Sequence, residues 1–107
     1  MSRPVRFDER LLIDLSSIRA WYEAQQAGLG VRFVGAFYSA VASRARNPLA
    51  CPLFKPFASR NIRHSLVPDF PYAFYFSVNE AEIFLFLIFH GARNPRQLHR
   101  AILRRNP

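Results

Sequence analysis

Seven consecutive apolar residues, Ile83-Phe84-Leu85-Phe86-Leu87-Ile88-Phe89, stand near the end of this 107-residue chain, and they constrain its fold more than any other feature. A membrane-spanning helix needs about 20 apolar residues, so the run is much too short for one. Its length and its β-favouring side chains read instead as a strand buried on both faces, which must sit centrally in a sheet and be covered by helices. A chain of this size buries only about two-thirds of its unfolded surface and has room for one domain, so residues 1–107 read as a single unit.

The covering helices are visible upstream. Val5-Arg6-Phe7 reads as a short extended piece, after which Asp8 is a good N-cap and Glu9 sits favourably in the first turn of a helix. Leu11, Leu15, Ile18 and Tyr22 recur at helical spacing, with Leu12 and Trp21 on the flanks, until Gly28 offers a stop. A second helix, beginning around Leu29 to Val31, carries Phe33, Val34, Phe37, Tyr38 and Val41 and ends at Asn47-Pro48. Only Gly28-Leu29-Gly30 separates the two, which predicts an antiparallel αα-hairpin. Pro48, Pro52 and Pro56 then make Asn47 to Asn61 a loop, on which Lys55 and Arg60 could mark a binding surface.

From Ile62 the period becomes two. Ile62, His64 and Leu66 share one face and Arg63 and Ser65 the other; Pro68-Asp69 turns the chain into Tyr72–Val78, and Asn79-Glu80-Ala81 turns it into Ile83–His90. Pro71 suits the start of an edge strand, since it has no N–H to give a ladder. Asn94 and Pro95 then open a last helix with Leu98, Ala101 and Ile102 on one side and Arg96, Arg100 and Arg104 on another. The fold class is therefore α+β: a short N-terminal strand, an αα-hairpin, a three-stranded antiparallel meander completing a small sheet, and a C-terminal helix.

Charge narrows the partners. Fourteen arginines and one lysine face seven acids, a formal net charge of +8, and no acid lies between Ala24 and Pro68 or after Glu82. Such asymmetry points to an acidic partner, a nucleic acid or both, and arginine favours bidentate contact with phosphate or carboxylate. Cys51 has no second thiol, the N-terminal apolar stretch is broken by Asp14 without a cleavage site, and no phosphate-cradling glycine loop or close metal-ligand pair occurs. The expectation is a cytoplasmic protein without membrane segment, metal or cofactor.

Motifs in order sharpen this. Trp21-Tyr22-Glu23 followed by Gly28-Leu29-Gly30-Val31-Arg32-Phe33, then Asn47-Pro48, then Ile62-Arg63-His64-Ser65-Leu66, then Phe70-Pro71-Tyr72-Ala73-Phe74-Tyr75, and finally His90-Gly91-Ala92-Arg93-Asn94-Pro95 after the apolar strand span nearly the whole chain. In this arrangement the sequence resembles the RelE/ParE toxin superfamily of type II toxin–antitoxin systems, and most closely its ParE-like branch. His64 departs from the pattern, standing where an arginine is usual. The resemblance implies a growth-arresting, plasmid-stabilization type of toxin that poisons DNA gyrase, is neutralised by a small acidic antitoxin, and meets operator DNA only through that antitoxin.

The RelE-like alternative is a ribosome-dependent mRNA endonuclease. RNA cleavage requires activation of a 2′-hydroxyl, stabilisation of a charged phosphorane and protonation of the leaving oxygen. His90 as acid or base, Arg93 and Arg63 as phosphate clamps, and His64 or His99 as a second proton carrier are the candidates. Lys55 is the only lysine and no tyrosine follows Tyr75, so the lysine cluster and late tyrosine of RelE-like nucleases are missing, which leans away from an enzyme. Gyrase poisoning needs only a surface, and Arg63, Arg93, Arg96, Arg100 and Arg104 are the expected target-binding residues. A non-toxic nucleic-acid-binding module, with Tyr72 and Tyr75 stacking on bases, is the third reading.

Overall fold

A computed structural model of the protein describes residues 3–106. The elements follow the expected order: β1 (Val5–Phe7), α1 (Glu9–Gln25), α2 (Leu29–Ala45), β2 (Ile62–Leu66), β3 (Tyr72–Val78), β4 (Ile83–His90) and α3 (Pro95–Arg105). The strands form one sheet in the order β1-β4-β3-β2, with β1 parallel to β4 and the other pairs antiparallel. The apolar run is thus an interior strand, as its composition requires. The α1–α2 hairpin covers one face of the sheet and α3 the other.

A bulge lets β4 serve both faces. Tyr75 pairs with Leu87 and Phe76 with Leu85, which leaves Phe86 as an extra residue in the strand. Leu85 and Ile88 consequently pack with Leu11, Phe33, Phe37 and Phe74 under the hairpin, while Phe86 and Leu87 pack together with Ala101 and Ile102 of α3. Strict alternation would have put Phe86 and Leu87 on opposite faces; the bulge gives α3 two adjacent large side chains to dock on.

The hairpin is closed by backbone geometry and one carboxylate. The Asp8 side chain accepts from the Arg10 N–H at 2.8 Å as the N-cap of α1. Gly28, at φ +86°, turns the chain in the left-handed region and has no side chain to cap α2. Glu23 supplies that cap instead, accepting from the N–H groups of Gly28 (3.1 Å), Gly30 (2.8 Å) and Val31 (3.2 Å). The Gly28 N–H, followed by that of Val31, holds this carboxyl below its usual range.

Two expectations need correction. Residues 47–61, read as a plain loop, contain 3-10 turns at Pro48–Ala50 and Lys55–Arg60, and the stretch between them lies along the outer edge of β2. Leu53 bridges to Arg63, the Phe54 N–H donates to Ile62 O at 2.8 Å and the His64 N–H donates to Pro52 O at 3.3 Å. Prolines exclude a regular helix, but a 3-10 turn accepts Pro at its start, as both of these do. Nor is β3 an edge strand: it lies between β4 and β2. Pro71 stands one residue before β3, so its missing N–H falls outside the ladder, and its carbonyl accepts the Gly91 N–H at 2.8 Å. Among the described residues no helix is long and apolar enough to cross a membrane.

The crossing of α1 and α2 depends on Gly30. A Cβ there would overlap the Arg19 carbonyl oxygen and the Glu23 Cγ. Gly30→Ala should therefore force the helices apart and lower stability by about 1–3 kcal/mol, measured by urea or thermal unfolding. Wild-type stability in this variant would contradict the packing described.

Candidate functional site

The candidate site is α3 with the turn that precedes it. Asn94 Oδ1 accepts from the Arg96 N–H at 2.7 Å, and Pro95 takes the first helical position, where its lack of an N–H costs nothing. Ala101 and Ile102 are buried against the sheet, and Leu98 packs beside them. The far end is held by arginines from three elements. Arg10 donates to Arg104 O at 3.2 Å, Arg60 donates to Asn106 O, and Arg105 donates to Phe86 O at 3.2 Å while forming an ion pair with Asp14 at 2.7 Å. Positive groups at a helix C-terminus are favoured by the partial negative charge of its unpaired carbonyls.

Facing outward from this anchored helix are Arg96, Arg100 and Arg104, all exposed, and Arg93 extends the row from the turn. The sequence spacing therefore describes a real ridge. Arg93 rests over the Phe89 ring, 5.8 Å from its centroid. Beside the ridge, a cleft opens between α1 and α3, lined by Ser17, Ile18, Tyr72, His90, Arg93 and Arg104 among others. It exists because β1 pairs only with Ile83–Leu85, which leaves the second half of β4 without a strand on that side.

His90, the last residue of β4, lies at the end of this cleft. Its Nδ1 accepts from the Ala92 N–H at 3.0 Å, and its ring meets Tyr72 edge-on at 5.1 Å. Burial pushes the Tyr72 hydroxyl upward in pKa, against a smaller opposite effect of Arg93. His64 is elsewhere. It stacks on Tyr75 with centroids 5.7 Å apart and meets Phe54 edge-on, and burial pushes its pKa down, favouring the neutral ring. His99 meets the same Phe54, so the two histidines share an aromatic cluster on the α3 side of the sheet.

The nuclease candidates are accordingly not assembled around one point. His64 faces Tyr75, which pairs with Leu87, whereas His90 pairs with Tyr72. Two strand spacings across and three residues along separate the histidines by roughly 14 Å, too far to act on one phosphate. Arg63 donates to Leu49 O (3.1 Å) and Cys51 O (2.6 Å), so its guanidinium holds the 3-10 segment in place. Arg60, with its bond to Asn106 O and its position over Phe57, is similarly occupied. Of the five residues expected to bind a target, Arg93, Arg96, Arg100 and Arg104 lie together and Arg63 does not. The clamp of Asp14, Arg10 and Arg105 escaped the sequence reading; its one available signal was Asp14, an acid interrupting an otherwise apolar stretch.

The bond from Ala92 fixes the neutral His90 ring as the Nε2–H tautomer, leaving that N–H as the group it presents. Nitrogen-15 shifts of the neutral imidazole should report this tautomer. An Nδ1–H signal would contradict the turn geometry.

No protein-family model matches the chain, and no curated protein does. Among solved structures, it is similar to a chain described as "Chromosomal ParDE TA system from P. aeruginosa", with a TM-score of 0.71 at 16% identity, covering 83% of this chain and 96% of that one. Nearly all of that chain is thus matched. The expectation raised by the motifs is borne out at the level of architecture: this protein has the α+β fold of a chain from a ParDE toxin–antitoxin system.

Proposed function

We propose that the protein is the toxin of a type II toxin–antitoxin pair, ParE-like, acting as one domain in the cytoplasm to poison DNA gyrase and neutralised by a small acidic antitoxin. The observation that carries this reading is the combination of a ParE-like fold with a rigidly anchored, exposed arginine row on α3. Poisoning requires a surface that stabilises a trapped state of the target and no chemistry from the toxin. The separation of His64 from His90 and the engagement of Arg63 by the loop favour such a surface over the ribosome-dependent nuclease.

An acidic antitoxin fits the charge distribution. The chain carries +8, with no acid between Ala24 and Pro68. Operator DNA would then be met through the antitoxin.

Expression of the chain alone should arrest growth, and co-expression of the small acidic protein encoded beside it should restore growth. His90→Ala should keep most of the toxicity, while Arg93→Ala and reversal of the α3 row to glutamate should remove it through lost charge-assisted contacts. General acid–base groups contribute roughly 100- to 10,000-fold, so loss of toxicity on that scale in His90→Ala, with Arg93→Ala unaffected, would favour the nuclease reading. Harmless expression, with no adjacent antitoxin frame, would overturn the toxin reading altogether.

A further inference from the structure

Several of the chain's arginines are engaged by other groups, whereas Arg19, Arg32 and Arg46 on the hairpin and a row of four along α3 and its preceding turn are exposed. Arg6 pairs with Glu82, Arg10 with Asp8 and Arg105 with Asp14, while Arg60 and Arg63 donate to loop and terminal carbonyls. Arg93, Arg96, Arg100 and Arg104 make no side-chain hydrogen bond or ion pair to any described residue, and all four are exposed. No acid follows Glu82 in sequence, and Asp14, which lines the neighbouring cleft, is already neutralised by Arg105.

Three features decide what such a row is built to meet. Successive arginines four residues apart rise about 6 Å along the helix, a step of the same order as the separation of neighbouring phosphates on one strand. The outward face of α3 itself has Leu103 as its one exposed large apolar residue, at 44%, and no Phe, Tyr or Trp, and the Phe89 ring lies under Arg93. A protein partner would need an apolar or aromatic anchor at the centre of the interface, with charges at its rim, and this face offers the reverse. A single strand would need aromatic platforms for its bases, whereas Phe54, Phe57 and His99 are packed on one another beneath α3. Phosphates of a duplex ask only for donors in a row on a rigid support, and α3 is held rigid by the Arg10, Arg60 and Arg105 bonds at its end.

We propose that Arg93, Arg96, Arg100 and Arg104 form a binding ridge for the phosphodiester backbone of duplex DNA, contacted without base readout. The inference rests on the reading of α3 as the target-facing element and names what it touches there: the DNA that gyrase holds, rather than an acidic patch of the enzyme.

The test is binding of the full chain to fluorescent duplexes of two unrelated sequences, followed by anisotropy across a salt series. Two charge-matched variants are compared: R96A/R100A/R104A, and R32A/R44A/R46A, whose exposed residues lie on α2 or its C-cap, in the hairpin that covers the face of the sheet opposite α3. Each phosphate contact contributes about 0.9 to the slope of log affinity against log salt. The ridge variant should therefore lose about 2.7 in slope and at least about tenfold in affinity, while the control variant should change little and both sequences bind alike. R100A alone, which removes one exposed side chain and leaves the helix contacts intact, should lose about 0.9 in slope. Equal losses in the two triple variants would overturn the inference, because binding would then follow net charge and not the ridge. Tighter binding to single-stranded RNA than to duplex, or a ridge variant that loses binding to poly-glutamate while keeping its binding to duplex, would also overturn it. Wild-type protein that poisons gyrase while its duplex binding is indifferent to the ridge would sink this inference and leave the proposed function standing; ridge-dependent duplex binding without any effect on gyrase would do the opposite.

Discussion

Burial of β4 on both faces is the constraint from which the rest of the molecule follows. A strand made of Ile, Phe and Leu throughout cannot leave either face in water, and each large apolar side chain fully buried contributes about 1.5–3 kcal/mol. The α1–α2 hairpin satisfies one face and α3 the other, which requires that α3 come back across the sheet after β4 ends. The Phe86 bulge matters here, because it turns two consecutive side chains toward α3 and gives that helix its footing. The position of the arginine row is thus a consequence of strand packing: once Leu98, Ala101 and Ile102 point inward, Arg96, Arg100 and Arg104 must point out.

Electrostatics then divides the basic residues by circumstance and not by type. The C-terminal end of α3 and the 3-10 segment leave carbonyls that need donors, which Arg10, Arg60 and Arg63 supply, and Arg6 of the edge strand β1 pairs with Glu82. What remains on α3 is a set without internal partners. Like charges four residues apart on a helix repel by a few tenths of a kcal/mol per pair, a small standing cost that the described part of the chain does nothing to relieve and that a polyanionic partner would relieve.

Much of the fold could be read from the residues. The seven-residue apolar run, the Gly28-Leu29-Gly30 separation and the change of period at Ile62 each correspond to a physical necessity, and the elements they predict are present. The bulge was not legible, because a run that is apolar at every position carries no alternation from which a shift of face could be noticed. Nor was the interior place of β3, since Pro71 signals only that the residue itself lies outside a ladder. For the site, helical spacing was enough to group Arg96, Arg100 and Arg104, and the Asn94-Pro95 start placed Arg93 beside them. It could not separate Arg63 from that set. Its role is decided by the Leu49 and Cys51 carbonyls, which reach it only through the path of the proline-rich segment. The distance between His64 and His90 likewise depends on strand order, which puts β3 between them and brings β1 to the other side of β4.

The central claim is that the fold presents an anchored arginine surface, and that the proposed toxin acts through it by binding. It is tested most directly by incubating the purified protein with gyrase, ATP and supercoiled plasmid, and in parallel with translating ribosomes. The account predicts accumulation of protein-linked, cleaved plasmid with gyrase and intact mRNA on the ribosomes. Codon-dependent cuts in mRNA, with gyrase turning over normally, would contradict it.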